Sequence, residues 1–508
     1  MSIFHWAILF LYYVSSLING IRWSRIAQRE HYIPGSISRF YFRWIKLNKI
    51  NYFLSIVFLL VIFLSLMYEF ASILAIFVGL VFPYGISYST RTSNIDITPR
   101  LKRLFLVYVL FITFVTVLFL ATGFGFFGAL VSFIFSFFFF DRSLGLMQNI
   151  EKALSMKYVT SAADELKKLN GPIIGITGSY SKTTTKEVLT SFLSLNNKVF
   201  STPNSFNNRL GIATAINNEN MKDNDLGIFE MGTYGLGEIK EICSWVRPHV
   251  SVITGIGPVH LERMKTYENI LDAKSEIVEY SGSVVINGDD EMLIERARAW
   301  INTKQVIDCS IETNQALVYV QYSSGEHSIY IEGKKIGTVK GPEVHQLSIA
   351  LSIGVLYVLE QDIQSIINNF DTTKPVEHRQ SILTGKKGQK IIDNTFNSNP
   401  YSVLSSLNLL KENATEDSKL WLVTPGMVEL GSEQFVMNKA FAEEASNIVD
   451  EVFVIGLTNK SALKAGFVDY GIKVNYVTNR DEAVKILDSL VNENDVVLFE
   501  NDLPDHYP

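Results

Sequence analysis

Gly175-Ile176-Thr177-Gly178-Ser179-Tyr180-Ser181-Lys182-Thr183-Thr184-Thr185 is the stretch on which the reading of this chain turns. The apolar run Ile173–Thr177 has the composition of a buried strand, a glycine-containing turn follows it, and Lys-Thr opens a helix-length segment. Such a strand–turn–helix aims backbone N–H groups and a helix N-terminus at phosphate oxygens; the lysine reaches the terminal phosphate and a threonine hydroxyl takes Mg²⁺. Gly178, Ser179, Tyr180, Ser181, Lys182, Thr183 and Thr184 are therefore the expected phosphate contacts, with Ser181 standing where loops of this kind have glycine. An ordinary Ser/Thr-rich turn is the competing reading of the loop taken alone.

Outward from the loop, short β-type runs alternate with helix-length segments: Ile173–Thr177, Gly227–Met231, Val250–Thr254 and Val284–Ile286. That is the rhythm of a parallel α/β sheet. Residues 305–340 read instead as hairpins, with a turn at Gly333-Lys334-Lys335. A second alternating block starts near Lys390, with strands at Ile391–Asn394, Trp421–Thr424, Val452–Ile455 and Val496–Phe499. The expected soluble part is thus two α/β domains, 171–374 and 375–508, joined near Lys374–Arg379, and preceded by a helical linker over 141–170.

The N-terminal side is a different material. Residues 1–140 carry 11 Lys or Arg against three acidic residues, Glu30, Glu69 and Asp96, whereas the remainder holds 34 basic and 48 acidic residues. Residues 2–21, 50–68, 70–90 and 104–140 contain no formal charge. At about 1.5 Å rise per residue the last run is too long for one crossing of a ~30 Å hydrocarbon core, so it is folded in two at Thr122–Gly125. Five transmembrane helices are expected, over about 3–20, 50–68, 70–90, 104–121 and 124–140. A cleaved signal peptide is disfavoured for the first, since no positive segment precedes it and no A-x-A site follows. The basic residues gather in 22–49 and 91–103, which places those connections in the cytoplasm, the N-terminus outside, and residues 141–508 inside the cell membrane. Basic residues lying between apolar runs give no nucleic-acid surface. Cys243 and Cys309 form no metal or disulfide spacing and suit a reducing compartment.

Further motifs follow the phosphate loop in order. They are Thr202-Pro-Asn-Ser-Phe-Asn207-Asn208, Phe229-Glu230-Met231-Gly232, Ile253 through Glu262 with His260, and Asp272-Ala273-Lys274-Ser275-Glu276. Then come Asn287-Gly288-Asp289-Asp290, His378-Arg379, Ile392 through Pro400 with Asp393, Asn397 and Asn399, and Gly426-Met427-Val428-Glu429-Leu430-Gly431. Together with the loop they resemble the Mur ligase family, and within it the MurF-like, D-alanyl-D-alanine-adding branch; the resemblance covers essentially all of 171–508. It implies a central P-loop ATPase domain followed by a Rossmann-like C-terminal domain.

The resemblance also implies chemistry. A carboxylate and an amine do not condense in water, so the carboxylate becomes an acyl phosphate at the expense of ATP. Lys182, Glu230, His260 and Lys274 are the implied catalytic residues, with Mg²⁺ held by Thr183, Glu230, His260 and a CO₂-derived carbamate on Lys274. Asn287, His345, Arg379 and Asp393 are implied nucleotide contacts, and Asn207, Asn208, Asn397 and Asn399 implied substrate contacts. Four departures stand out: Ser181 and Gly255 replace Gly and Asn; Gln346 and Ile349 replace the asparagines that read adenine; the C-terminal run at Phe499–Asp505 lacks Lys-Gly-Ser; and membrane segments occupy the place of the UDP-sugar-binding domain. The expected function is a membrane-anchored ATP-dependent amide ligase that adds an amino acid or peptide to a cell-envelope precursor, with a lipid-linked precursor as one candidate. The rivals are an authentic D-alanyl-D-alanine-adding enzyme with an added anchor, a catalytically degenerate nucleotide-binding scaffold, and a transporter. The transporter is weakened by spans that carry no ionisable residue except His5.

Overall fold

Two sheets and a bundle of apolar helices make up the protein, in a computed structural model that describes residues 3–88, 95–203, 205–370, 381–395 and 398–508. The first sheet contains β1 (Ile173–Thr177), β2 (Val199–Ser201), β3 (Leu226–Glu230), β4 (Val250–Ile253), β5 (Ser283–Asn287), β6 (Gln305–Ser310), β7 (Val318–Ser323), β8 (Glu326–Ile331) and β9 (Lys334–Lys340). Their order is β2-β3-β1-β4-β5-β6-β7-β8-β9. Neighbours are parallel from β2 to β7, and β7–β8–β9 is an antiparallel meander. The hairpins expected over 305–340 therefore begin only at β7, because residues 305–310 join the parallel sheet beside β5. Both meander turns pair two residues of positive φ, Ser324-Gly325 and Glu332-Gly333, the backbone that two-residue hairpin loops require.

Sequence patterning explains the layers. Every residue of β1 and β3 is buried, as expected of central parallel strands covered on both faces. One face packs on Val188, Leu189 and Phe192 from the helix Lys182–Leu193 and on the helix Gln346–Val358; the other packs on Ile239, Ile242 and Leu271. The second sheet contains β10 (Ser381–Thr384), β11 (Lys390–Asn394), β12 (Leu420–Thr424), β13 (Glu451–Ile455), β14 (Lys473–Val477) and β15 (Val496–Glu500), in the order β10-β11-β15-β12-β13-β14. Only β10 is antiparallel. The expected joint at Lys374–Arg379 lies outside the described residues.

Ahead of the sheets, three helices are long and apolar enough to cross a membrane: Ile3–Arg29, Lys49–Met67 and Pro99–Ala121. Their outward faces carry bare apolar side chains, among them Phe53, Leu59, Phe63, Leu110 and Phe114. In water such a surface would be costly, and against lipid tails it is not. Within 70–90 the helix is Ala71–Val81, ending before Phe82-Pro83. Within 124–140 the chain bends by 78° between Gly125–Ile134 and Ser136–Leu166. That last helix runs 31 residues, from the apolar segment through the expected linker without a break.

The basic stretch 22–49 is mostly helical, divided between Ile3–Arg29 and Ser36–Leu47. Four of its five arginines are engaged by protein. Arg22 donates to the carbonyls of Leu80 and Phe82, Arg25 pairs with Asp505, Arg39 with Glu30, and Arg43 with Glu262.

Candidate active site

At the C-terminal edge of β1 the chain must turn sharply into a helix, and the backbone shows the strain. Gly178 has φ 148°, and a Cβ there would lie 1.9 Å from Thr254 Oγ1, so only glycine fits. Ser181, at the N-cap of Lys182–Leu193, has φ 58°. The left-handed conformation explains why glycine is usual at that position and why serine carries a cost of about 1 kcal/mol there.

Two lysines from distant segments converge on this turn. Lys182 Nζ donates to the Gly178 carbonyl at 2.8 Å, and Lys274 Nζ to the same oxygen at 2.9 Å. Lys274 is 4% exposed. Burial drives its amine far below the usual lysine range, and the neighbouring Lys182 charge pushes in the same direction. At the next residue, Thr183 Oγ1 donates to Glu230 Oε2 at 2.8 Å, and Asn207 Nδ2 donates to Oε1 at 2.9 Å. Glu230 is 1% exposed, at the end of β3. Its third neighbour, Lys186, sits 3.8 Å away and donates to the Thr202 carbonyl. The motifs gave Lys186 no role. It lies four residues after Lys182, so on the same helix face.

His260 also has a left-handed backbone, φ 65°, and its Nδ1 is held by Glu429 Oε2. Burial lowers the imidazole pKa, opposed by the Glu429 bond and charge. Burial would raise the Glu429 carboxyl, but the hydrogen bond and charge of His260, with Arg263, bring it down to about 2. Glu429 belongs to the second α/β domain, so this pair spans the two domains, as do the Glu262 N–H to Glu429 carbonyl bond and Tyr267 donating to Glu433. Glu429 had been noted only as part of a motif. Its role was invisible because the pairing joins residues 169 apart.

The remaining expected contacts divide into groups. Tyr180 stacks on Tyr401 of the second domain, with ring centroids at 4.8 Å and planes 12° apart. Gly255 is its counterpart: a Cβ there would meet the Tyr180 hydroxyl at 2.3 Å, so the glycine and the tyrosine go together. Ser179 exchanges hydrogen bonds with Gly257, and Thr184 is half-buried on the first turn of the helix. Asn287, at the end of β5, accepts from the Asp289 N–H. His345 begins the helix Gln346–Val358, and burial with the His327 charge lowers its pKa to about 4. Gln346 donates to the Val320 carbonyl and Ile349 is a core residue, so the protein interior itself occupies both altered positions. Asp393 accepts from Thr395. The Asn208 and Asn399 side chains cap helices at Arg209 and Pro400, shaping their loops. Arg379 and Asn397 lie outside the described residues.

Among the described residues there is no group of three or more His, Cys, Asp or Glu that could hold a metal. Thr183 and Glu230 nevertheless suit Mg²⁺, which keeps several waters and takes one or two protein ligands beside substrate phosphates. A cleft of about 530 Å³ is bounded by Arg43, Leu261, Lys265, Gly431, Gln434 and Asn459, and neither His260 nor Glu429 lines it. Its walls come from the membrane part and both α/β domains.

Comparison with known proteins agrees with this geometry. Residues 176–350 match the Mur ligase middle domain and residues 378–500 the Mur ligase glutamate ligase domain. The UDP-N-acetylmuramoyl-tripeptide–D-alanyl-D-alanine ligase of Bacillus subtilis is 25% identical over 382 residues, covering 71% of this chain and 77% of its own. The structure of MurF from Thermotoga maritima in complex with ADP superposes with a TM-score of 0.56 at 26% identity, covering 68% of this chain and 80% of that one. MurF from Acinetobacter baumannii, 21% identical, shares the fold with a TM-score of 0.61 over 68% of this chain and 77% of its own.

Proposed function

Because this chain belongs to the Mur ligase family through its middle and C-terminal domains, we propose that it is a membrane-anchored, ATP- and Mg²⁺-dependent amide ligase that extends a peptidoglycan-type envelope precursor through an acyl phosphate. One observation carries this reading: Lys182 and Lys274 converge on the Gly178 carbonyl, beside the buried Thr183–Glu230 pair. The Lys182 ammonium is held at the mouth of the turn, ready to exchange one carbonyl for phosphate oxygens. Mg²⁺, when bound by Thr183 and Glu230, supplies positive charge against the transferring phosphoryl group. The backbone N–H groups of Tyr180–Thr184 and the helix N-terminus complete the cradle, the Ser179 N–H being taken by the Gly255 carbonyl. Asn287, His345, Arg379 and Asp393 belong to the nucleotide side, and Asn207 and Asn397 to the substrate side.

Lys274 is the proposed carbamate. Only a neutral amine adds CO₂, releasing one proton, and burial, with the Lys182 charge, shifts this amine toward its neutral form. The product is an anion, which suits a position that a bare ammonium would deny to Mg²⁺.

The membrane part is residues 1–140, five segments with the N-terminus outside, and residues 141–170 lead into ligase domains at 171–374 and 375–508 on the cytoplasmic side. A lipid-linked precursor is the favoured substrate, since a cleft between the membrane part and the two α/β domains has Arg43 in its wall, and confinement to one leaflet raises effective concentration. Of the stretch 22–49, Arg22, Arg25 and Arg39 are taken up by protein partners outside the cleft, so Arg43, in the cleft wall beside Glu262, is the cation placed to meet a headgroup. The second reading, an authentic D-alanyl-D-alanine-adding enzyme with an anchor, draws on the named activity of the Bacillus subtilis relative. Rates on matched soluble and lipid-linked precursors separate the two.

Lys182→Ala tests the central reading. Ligation should fall by about three orders of magnitude or more, since the residue acts on transition-state charge, while the fold is retained. Normal ATP turnover by that variant would remove the claim.

A further inference from the structure

The turn that ends the first helix reaches into the ligase domains. Glu30 and His31 directly follow Ile3–Arg29. Glu30 is 4% exposed. Its Oε2 accepts from Arg39 of the membrane part and, at 3.1 Å, from Arg263 of the middle domain. The same Arg263 nitrogen donates to Glu429 Oε1 at 2.6 Å, and the other Glu429 oxygen holds His260. Three consecutive polar links thus run from the end of a membrane helix to the His260 ring. A second route is apolar: His31 stacks on Tyr234 at 5.6 Å, and Tyr234 meets His260 edge-on at 4.7 Å.

The C-terminal tail closes the arrangement. His506 Nε2 lies 2.9 Å from Glu30 Oε1, the His506 carbonyl accepts from Trp44 Nε1 at 2.8 Å, and Asp505 pairs with Arg25 at 2.7 Å. The Pro508 carbonyl accepts from the Leu457 and Thr458 N–H groups, tying the tail back to its own domain. All three parts of the chain therefore meet at Glu30.

Electrostatics makes Glu30 more than a docking contact. Arg263 is divided between two carboxylates, one on each side, and that division fixes how far its guanidinium reaches toward Glu429. Without the Glu30 charge, Arg263 turns wholly to Glu429 and competes with His260 for that carboxylate. A buried network left half-satisfied is also free to rearrange.

We propose that Glu30 is a positioning residue for the ligation reaction: through Arg263 and Glu429 it fixes the His260 ring, so that the end of the first membrane helix is a wall of the active site. The inference rests on the ligase reading above for its catalytic consequence, but not for its geometry.

The test uses full-length protein in lipid nanodiscs, with Glu30→Gln, which keeps the volume and removes the charge. Positioning predicts a fall of about tenfold or more in kcat for ADP formation dependent on carboxylate and amine, with KM for ATP within about twofold, since misplacement harms the chemical step more than binding. Backbone hydrogen exchange should rise at 258–264 and 427–433 and stay unchanged at 173–188. Glu30→Asp should recover part of the rate. Arg103→Gln, which breaks the membrane-part ion pair to Glu151, should do neither. Wild-type kcat and exchange in Glu30→Gln would overturn the proposal. So would a loss of protection across both α/β domains with a matching fall in thermal midpoint, the mark of a docking contact alone. If Glu30→Gln does not fold, Arg263→Gln removes the cation that joins Glu30 to Glu429; wild-type behaviour there overturns the proposal equally. The exchange arm needs no substrate, so absent turnover in the wild type would sink the ligase reading while leaving the positioning chain decided by exchange.

Discussion

Lys274 offers its amine to a single backbone carbonyl in a pocket it shares with Lys182. An unmodified amine there binds no Mg²⁺, whereas a carbamate does. Lys274→Ala should therefore lose about a hundredfold or more in ligation, the scale expected when a metal site is disturbed, and short carboxylates such as acetate should restore part of it by filling the anionic position. Loss without rescue, together with an unmodified amine in the active nucleotide-bound state, would count against the carbamate. At this scale the sequence was informative about which motifs converge: Thr183 donates to Glu230, and Lys182 and Lys274 share the Gly178 carbonyl. It was silent on Lys186, whose carbonyl partner is folded in from Thr202, and on Glu429, which reaches His260 only across a domain boundary. Ser181 and Gly255, read as departures, have physical accounts of different kinds. Ser181 tolerates a strained backbone, and Gly255 clears space for the Tyr180 phenol.

Among the elements, the turn before Lys182–Leu193 stores the most evident strain. Ser181→Gly should relieve a left-handed serine and raise stability by up to about 1 kcal/mol, less the entropy that glycine adds to the unfolded chain. Thermal unfolding followed by tryptophan fluorescence reads the shift; a lower midpoint would mean that the serine is held by contacts stronger than its strain. Alternation of apolar runs and helices revealed β1, β3, β4 and β5, whose residues are buried on both faces. It missed β14, where Lys473-Val474-Asn475-Tyr476-Val477 is half-polar because it forms a sheet edge. Hydropathy alone likewise could not find the bend near Phe135, since the residues on both sides are equally apolar.

For the whole molecule, charge asymmetry and the fold bear on topology together. His5 Nε2 lies 2.9 Å from Glu69 Oε1, so the N-terminus and the turn after Lys49–Met67 lie at the same end of the bundle. Glu69 and Gly123 are exposed at turns predicted to face outward; Lys46 and Asp96 are exposed on the side of the ligase domains. Single cysteines at 69 or 123 should be labelled by an impermeant reagent on intact cells, and those at 46 or 96 only after permeabilisation. The reverse pattern would put the phosphate loop outside, away from ATP, and the functional reading would fail with it.

The most direct test of that reading is the fate of ATP. Full-length protein in nanodiscs is supplied with MgATP, a carboxylate-bearing precursor and a panel of amino acids and dipeptides, and the nucleotide products are resolved. An acyl-phosphate ligase yields ADP and inorganic phosphate in step with amide formation, dependent on both the carboxylate and the amine. Release of AMP and pyrophosphate, or ADP formation indifferent to both substrates, would contradict the account.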